Sequence, residues 1–136
     1  MSQHQTDITE PLIKNLFEDK NIAFVATIIK DGSPQITPTW IDIQDNEILI
    51  NTALGRVKQK NVTRDPRIAV SIVDRNNPFH MVTLRGEVID QIAGELADSH
   101  IDKLAKKYLD KEKYPFRAPG EKRVILKVKP ARVASI

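Results

Sequence analysis

Asn51-Thr52-Ala53-Leu54-Gly55-Arg56-Val57-Lys58-Gln59-Lys60-Asn61-Val62-Thr63-Arg64-Asp65-Pro66 follows directly on the apolar run Ile48-Leu49-Ile50. An apolar run, a glycine turn, two valines among charged residues and an Asp-Pro stop read as strand, tight turn and short helix. Residues 51–67 carry Arg56, Lys58, Lys60, Arg64 and Arg67 against Asp65 alone, whereas the whole chain nets only +3. The positive charge is concentrated here. A hydroxyl at Thr52, a glycine that lets backbone approach closely, two cations two positions apart and the open N–H groups of a helix start suit a phosphate or other oxyanion. The same charges also suit a solvated basic helix at a sheet edge. The surrounding chain has to decide.

Upstream, Ile22 to Ile29 is a near-continuous apolar run of strand length, and Lys30-Asp31-Gly32-Ser33 is a hairpin signal leading into a second strand over 34–43. Pro34 and Pro38 lie on one parity of that strand and remove ladder donors, which predicts an edge or bulged strand. Ile36 and Trp40 share their parity, and Gln35, Thr37, Thr39 and Ile41 take the other. A row of small hydroxyls suits a flat ligand lying along the strand, although threonine is also a good strand former. Before it, Asp7 and Glu10 have the spacing of a capping box, Pro11 fits a first turn, and Leu12, Ile13, Leu16 and Phe17 share one helical face.

Downstream, Asp45-Asn46 makes a turn into a third strand over 47–52, and residues 67–74 form a fourth. After the turn-rich Arg75-Asn76-Asn77-Pro78, residues 81–90 alternate as a fifth strand with Gly86 at a bulge or close approach. The spacing of Ala97, Ile101, Leu104, Ala105 and Tyr108 predicts an amphipathic helix over 95–109. Pro115, Pro119 and Gly120 make 110–121 a loop, and 123–130 alternates as a last strand. Six strands joined mostly by hairpins, with three short helices, predict a mainly β chain (α+β by helix count) built as a small antiparallel barrel, not a doubly wound sheet. One domain spans 1–136, with residues 1–6 expected as a disordered tail.

With 40% hydrophobic and 29% charged residues the chain fits a folded globular protein, which excludes a disordered or fibrous one. It has no cysteine, so no disulfide, thiolate zinc site or thiol nucleophile is available. No apolar run approaches the roughly 20 residues that span a bilayer, so we expect a cytoplasmic protein with no membrane association. Mild charge and 5% aromatic residues argue against nucleic acid as a partner. His4, His80 and His100 have no metal-ligand spacing, and no metal site is expected. No nucleophile elbow, Walker loop or dinucleotide fingerprint occurs, so no catalytic residue is assigned and a bound cofactor would supply most of the chemistry.

Phe24-Val25-Ala26-Thr27-Ile28, Asp31-Gly32-Ser33-Pro34-Gln35, Pro38-Thr39-Trp40, Asn51-Thr52, Gly55-Arg56-x-Lys58-x-x-Asn61 and Arg64-Asp65-Pro66-Arg67 together resemble the pyridoxamine 5′-phosphate oxidase-like, FMN-binding split-barrel proteins. Asn77-Pro78, Leu84-Arg85-Gly86, His100-Ile101-Asp102-x-Leu104-Ala105-x-x-Tyr108 and Pro119-Gly120-Glu121-x-Arg123-Val124 continue the resemblance, most of all to the branch that uses the deazaflavin coenzyme F-420. The resemblance implies a six-stranded split barrel of Greek-key type, forming a homodimer with cofactor sites at the subunit interface. It implies an oxidoreductase that passes a hydride between F-420 and a small unsaturated molecule, with FMN as the alternative cofactor. A non-catalytic cofactor carrier or a barrel binding single-stranded nucleic acid is the alternative from another class.

Carried over by residue, the resemblance implies that Arg56 and Lys58 hold the cofactor phosphate, supported by Thr52 and Asn61, with Asn51 and Val57 in the same turn. It implies that Gln35, Ile36, Thr37, Pro38 and Thr39 run along the tricyclic ring, and that Asn77, Pro78, Phe79 and His80 arrive from the partner subunit to wall the site. Trp40 is expected in the core or interface, and His100 in a structural role. The carboxy-terminal Arg-x-His substrate motif of genuine pyridoxamine 5′-phosphate oxidases is not present in Lys129-Pro130-Ala131-Arg132-Val133-Ala134-Ser135-Ile136, so vitamin B6 oxidation is not implied.

Overall fold

The computed structural model describes residues 2–4 and 7–135. In chain order they form β1 (Ser2–His4), α1 (Pro11–Glu18), β2 (Ala23–Ile28), β3 (Pro34–Thr39), β4 (Asp42–Gln44), β5 (Glu47–Ala53), α2 (Val57–Arg64), β6 (Arg67–Asp74), β7 (Asn77–Ala93), α3 (Glu95–Leu109) and β8 (Arg123–Ser135). Of the residues expected as a disordered tail, 1, 5 and 6 lie outside the described residues, and Ser2–His4 pairs with β8.

The described strands form one antiparallel sheet of eight, in the order β3-β2-β6-β7-β8-β5-β4 with β1 added on β8. This corrects the expected six. One extra strand is β1; the other arises because the strand expected over 34–43 breaks at Trp40-Ile41. Its first half pairs with β2 and its second with β5, at opposite ends of the sheet path. Only three Cα steps separate Thr39 from Asp42, at most about 11 Å, so the sheet must curl until its two edges approach each other. They do not pair, and the sheet stays open between them.

The break has a cause in α3. Ile41 N donates to the Tyr108 hydroxyl at 3.1 Å, the hydroxyl donates to Asn21 O at 2.7 Å, and Lys107 Nζ donates to Ile41 O at 2.7 Å. Side chains of a helix thus satisfy the backbone groups that a neighbouring strand would otherwise take. Trp40 stacks on Tyr108 with ring centroids 5.3 Å apart and planes 5° from parallel. Burial lowers the Lys107 ammonium to about 8 and raises the Tyr108 hydroxyl to about 12, so at neutral pH both keep the protons they donate.

The long pair β7–β8 runs beyond the expected 81–90 and 123–130. Its register shifts between Arg85 and Gly86, and Gly86 faces Pro130. A Cβ on Gly86 would sit 2.2 Å from Lys129 O, which makes this the close approach the sequence suggested. Pro130 is tolerated inside β8 because β5 pairs only as far as Val128 and β1 starts at Val133, leaving one side of the strand unclaimed there.

Inside the curl, Ile48, Ile50, Ile72, Leu84 and Leu126 pack with Leu16 and Phe17 of α1. Leu12, expected on that helical face, is 64% exposed. The expected capping box is also absent: Asp7 Oδ1 accepts from Thr9 N at 2.9 Å, and Glu10 caps α1 without a side-chain bond, because Pro11 already sets the first turn. On the outer side of the sheet, α3 packs through Ala97 against Leu49 and Ile125.

Candidate functional site

At the β5–α2 turn Gly55 takes a φ of +89°, which L side chains rarely adopt, and its N–H donates to Gln59 Oε1 at 3.0 Å. Arg56 is extended and precedes the helix, so Lys58 is its second residue. The first helical N–H to bond back is that of Lys60, to Arg56 O at 3.0 Å, which leaves the N–H groups of Val57, Lys58 and Gln59 open at the helix start. These amides carry the positive end of the helix dipole.

Lys58 is half-buried and meets no carboxylate among the described residues. Burial first, and then the neighbouring Arg56 charge, lower its ammonium from the ordinary 10.5 to about 8. An uncompensated cation held partly out of water beside a second cation and three open amides is a place where an anion relieves stress. Lys60, by contrast, is exposed. Arg56 is not free: its Nη2 lies 3.2 Å from Glu121 Oε2.

The structure separates the other expected site residues into two groups. Asn51 is buried and fully engaged, donating to Ala97 O at 2.9 Å, meeting His100 Nδ1 at 3.1 Å and accepting from Arg123 Nε at 2.9 Å. Asn61 is likewise buried, donating to Thr27 Oγ1 at 3.0 Å and accepting from Arg64 Nη2 at 3.1 Å. Both amides tie elements together, and a ligand would have to displace those bonds. Thr52 is buried on β5 and Val57 is 52% exposed at the helix start.

On β3, which pairs only with β2, Ile36 is 65% exposed and Pro38 is exposed, while Gln35, Thr37 and Thr39 are half-buried. Gln35 Oε1 accepts from Thr27 Oγ1 at 3.4 Å. Thr37 Oγ1 is buried with no hydrogen-bond partner among the described residues. A buried hydroxyl without a partner costs about 1–3 kcal/mol, so it marks a spot where a polar ligand group would be favourable.

Asn77, Pro78, Phe79 and His80 open β7, with Phe79 76% exposed, Asn77 Oδ1 accepting from Phe79 N at 3.2 Å and His80 Nδ1 3.4 Å from Asp74 Oδ2. In the sheet order they lie three strands from β3, roughly 14 Å at the usual strand spacing.

Sequence reasoning missed a buried polar chain that ends at the β5–α2 turn. Lys103 and His100 both meet Asp42, at 3.1 and 2.9 Å; from His100 the chain runs through Asn51 and Arg123 to Glu121, which Arg123 Nη1 meets at 2.8 Å and which also holds Arg56. For Asp42, burial pushes the carboxyl up, but the His100 hydrogen bond and the Lys103 charge outweigh it and bring the value to about 2. Glu121 is also held below its ordinary value: burial raises it, and bonding to Arg123 with the charges of Arg123 and Arg56 overcomes that. The alternation Glu121-x-Arg123 at the end of a proline-rich loop was the available signal. Its partners outside the motif, Arg56 and Asn51, are 65 and 72 residues away in the chain.

A groove of about 800 Å³ lies elsewhere, over β2, β6, β7 and β8, where Arg67, Arg85, Lys129 and Arg132, with Glu87, surround Ala26 and Ile89.

The chain matches the model of the pyridoxamine 5′-phosphate oxidase family over residues 9–136. Among solved structures, an F-420 reductase superposes with a TM-score of 0.79 at 26% identity, covering 89% of this chain and 94% of its own. A conserved hypothetical protein from Mycobacterium tuberculosis superposes at 0.72 with 20% identity over 98% of this chain and 89% of its own. General stress protein 26 from Bacillus anthracis does so at 0.65 with 15% identity, over 95% and 94%. At the latter two identities the likeness is one of fold. No curated protein matches the chain.

Proposed function

We infer a cofactor-dependent oxidoreductase from one premise: this chain belongs to the pyridoxamine 5′-phosphate oxidase family. The observation that carries the reading is the half-buried Lys58, without a carboxylate partner among the described residues, beside Arg56 and the open first turn of α2. In this reading Arg56, Lys58 and the α2 amides hold the cofactor phosphate. Val57 lies in the same turn, and Thr52 supports it. Asn51 and Asn61 act by holding β5 and α2 in place. Gln35, Ile36, Thr37, Pro38 and Thr39 lie along the ring, where the Thr37 hydroxyl gains a partner.

The residues present fit a phosphorylated, ring-bearing cofactor. We propose coenzyme F-420, supported by the F-420 reductase at 26% identity, with FMN as the alternative. Bound there, the ring supplies hydride chemistry toward a small unsaturated substrate. The chain's own groups bind the phosphate, orient the ring along β3 and exclude water from it.

We propose a homodimer, in which Asn77, Pro78, Phe79 and His80 of each copy wall the other's site. The two strands, β2 and β6, that separate them from β3 within one chain support this, as do the large exposed apolar residues Phe24 (44%), Ile36 (65%) and Phe79 (76%). A cytoplasmic location remains part of the proposal; among the described residues no helix is long and apolar enough to cross a membrane.

Fluorescence titration of purified protein with F-420, FMN and a single-stranded oligonucleotide tests the function. Saturable binding of F-420 in preference to FMN is expected, and sedimentation at micromolar concentration should give about twice the chain mass. Preference for FMN reverses the cofactor assignment. Salt-sensitive oligonucleotide binding without either cofactor overturns the enzyme reading.

A further inference from the structure

Beside the phosphate turn, between the β3–β4 crossover and the 110–121 loop, lies a cavity of about 210 Å³. Its walls include Trp40, Tyr114 and Phe116, with Tyr114 edge-on to Trp40 at 5.9 Å and to Phe116 at 5.7 Å. Its charged lining is Arg56 and Arg123.

Arg123 is the telling member. Its side chain is 3% exposed; Nε is bonded to Asn51, Nη1 to Glu121, and the guanidinium lies 5.1 Å from the centre of the Tyr114 ring. Nη2 meets no acceptor among the described residues. A guanidinium cannot shed its charge and has five N–H donors, so the open amino group at the cavity wall takes its acceptor from whatever fills the cavity. Among the described residues Glu121 is the one carboxylate paired with Arg56 and Arg123, so two cations share a single negative charge.

We propose that this cavity binds a small flat aromatic anion: one six-membered ring bearing a carboxylate, with its oxygens on Arg123 Nη2 and Arg56 and its ring among Trp40, Tyr114 and Phe116. The size fits. A cavity of about 150 Å³ is enough for benzene, and the remaining volume takes the carboxylate. The chemistry fits as well, since aromatic walls favour edge and face contacts with a flat ring, and paired guanidinium donors match a carboxylate. The site shares Arg56 and Thr39 with the proposed cofactor site but needs no cofactor to form.

The test is benzoate titrated into the full chain without cofactor, followed by calorimetry and by the emission of Trp40, the only tryptophan. Benzamide, the neutral isostere, and acetate, which lacks the ring, are the controls. Benzoate should saturate with a change in Trp40 emission, benzamide should bind at least about tenfold more weakly, and acetate should leave the emission unmoved. Phe116→Ala removes a ring that is 64% exposed, so it should leave the unfolding midpoint unchanged while weakening benzoate severalfold. Arg56→Gln should weaken benzoate and leave benzamide unaffected. Equal affinity for benzoate and benzamide, no saturable change at millimolar benzoate, or indifference to both substitutions overturns the proposal. Cofactor titrations are read separately, so failure here is distinguishable from failure of the phosphate site.

Discussion

Replacing Lys58 by methionine removes the ammonium while keeping most of the apolar stem, and the structure gives the consequence a sign and a size. The Lys58 value falls from 10.5 to about 8 because of burial and the Arg56 charge. Below about pH 8 the folded protein therefore carries a cation it holds less readily than the unfolded chain does. Between about 8 and 10.5 the unfolded chain binds more protons, so stability rises with pH through that window and the penalty disappears above it. Each tenfold change in proton affinity is worth about 1.4 kcal/mol, which bounds the penalty near 3 kcal/mol. Solvent screening of the half-exposed side chain reduces it to roughly 1–2 kcal/mol. In urea unfolding at pH 7, Lys58→Met should be more stable than the wild type by that amount, and the gap should close toward pH 10.5. The same variant should bind the phosphorylated cofactor about tenfold to a hundredfold more weakly. A variant that is no more stable at pH 7, with a pH-independent difference, would refute the reasoning, because Lys58 would then be adequately solvated or paired.

Arg56→Ala should likewise weaken cofactor affinity about tenfold to a hundredfold, whereas Lys60→Ala, on an exposed position, should do much less. Equal losses at 56, 58 and 60 that salt erases would mean a diffuse positive field. Gly86→Ala should cost about 3 kcal/mol or more in thermal unfolding, because its Cβ would meet backbone oxygen of Lys129 at 2.2 Å and neither strand can yield cheaply. For Asp42, whose carboxyl stands at about 2, stabilisation is fully present above the ordinary 3.8 and is lost as pH falls through about 2. Asp42→Asn should therefore be less stable at pH 7 by roughly 2 kcal/mol, and the difference from wild type should shrink in acid titrations between about pH 4 and 2.

Much of the local structure was legible in the residues themselves. The Asp31-Gly32 hairpin, the bounds of the 95–109 helix, the close approach at Gly86 and the edge position of the proline-bearing strand all follow from near neighbours, through turn chemistry, side-chain period or a missing N–H. The strand–turn–helix around Gly55 was legible for the same reason: Gly55, Arg56 and Lys58 lie within four residues, and one turn sets their geometry. What only the tertiary structure decided are matters of partners distant in the chain. Trp40-Ile41 breaks a run that reads as one strand because Lys107 and Tyr108 claim the Ile41 backbone from 66 and 67 residues away. Asn51 and Asn61 look like ligand-facing amides in a motif, yet Arg123 and Thr27 occupy them, 72 and 34 residues away. The 110–121 segment reads as a plain loop because Tyr114 and Phe116 have no periodic partner, and they become a cavity wall only when the crossover brings Trp40 beneath them. Sequence spacing determines geometry only across the few residues whose dihedral angles it constrains; which side chains meet across the sheet depends on topology, and that emerges only when the whole chain has packed.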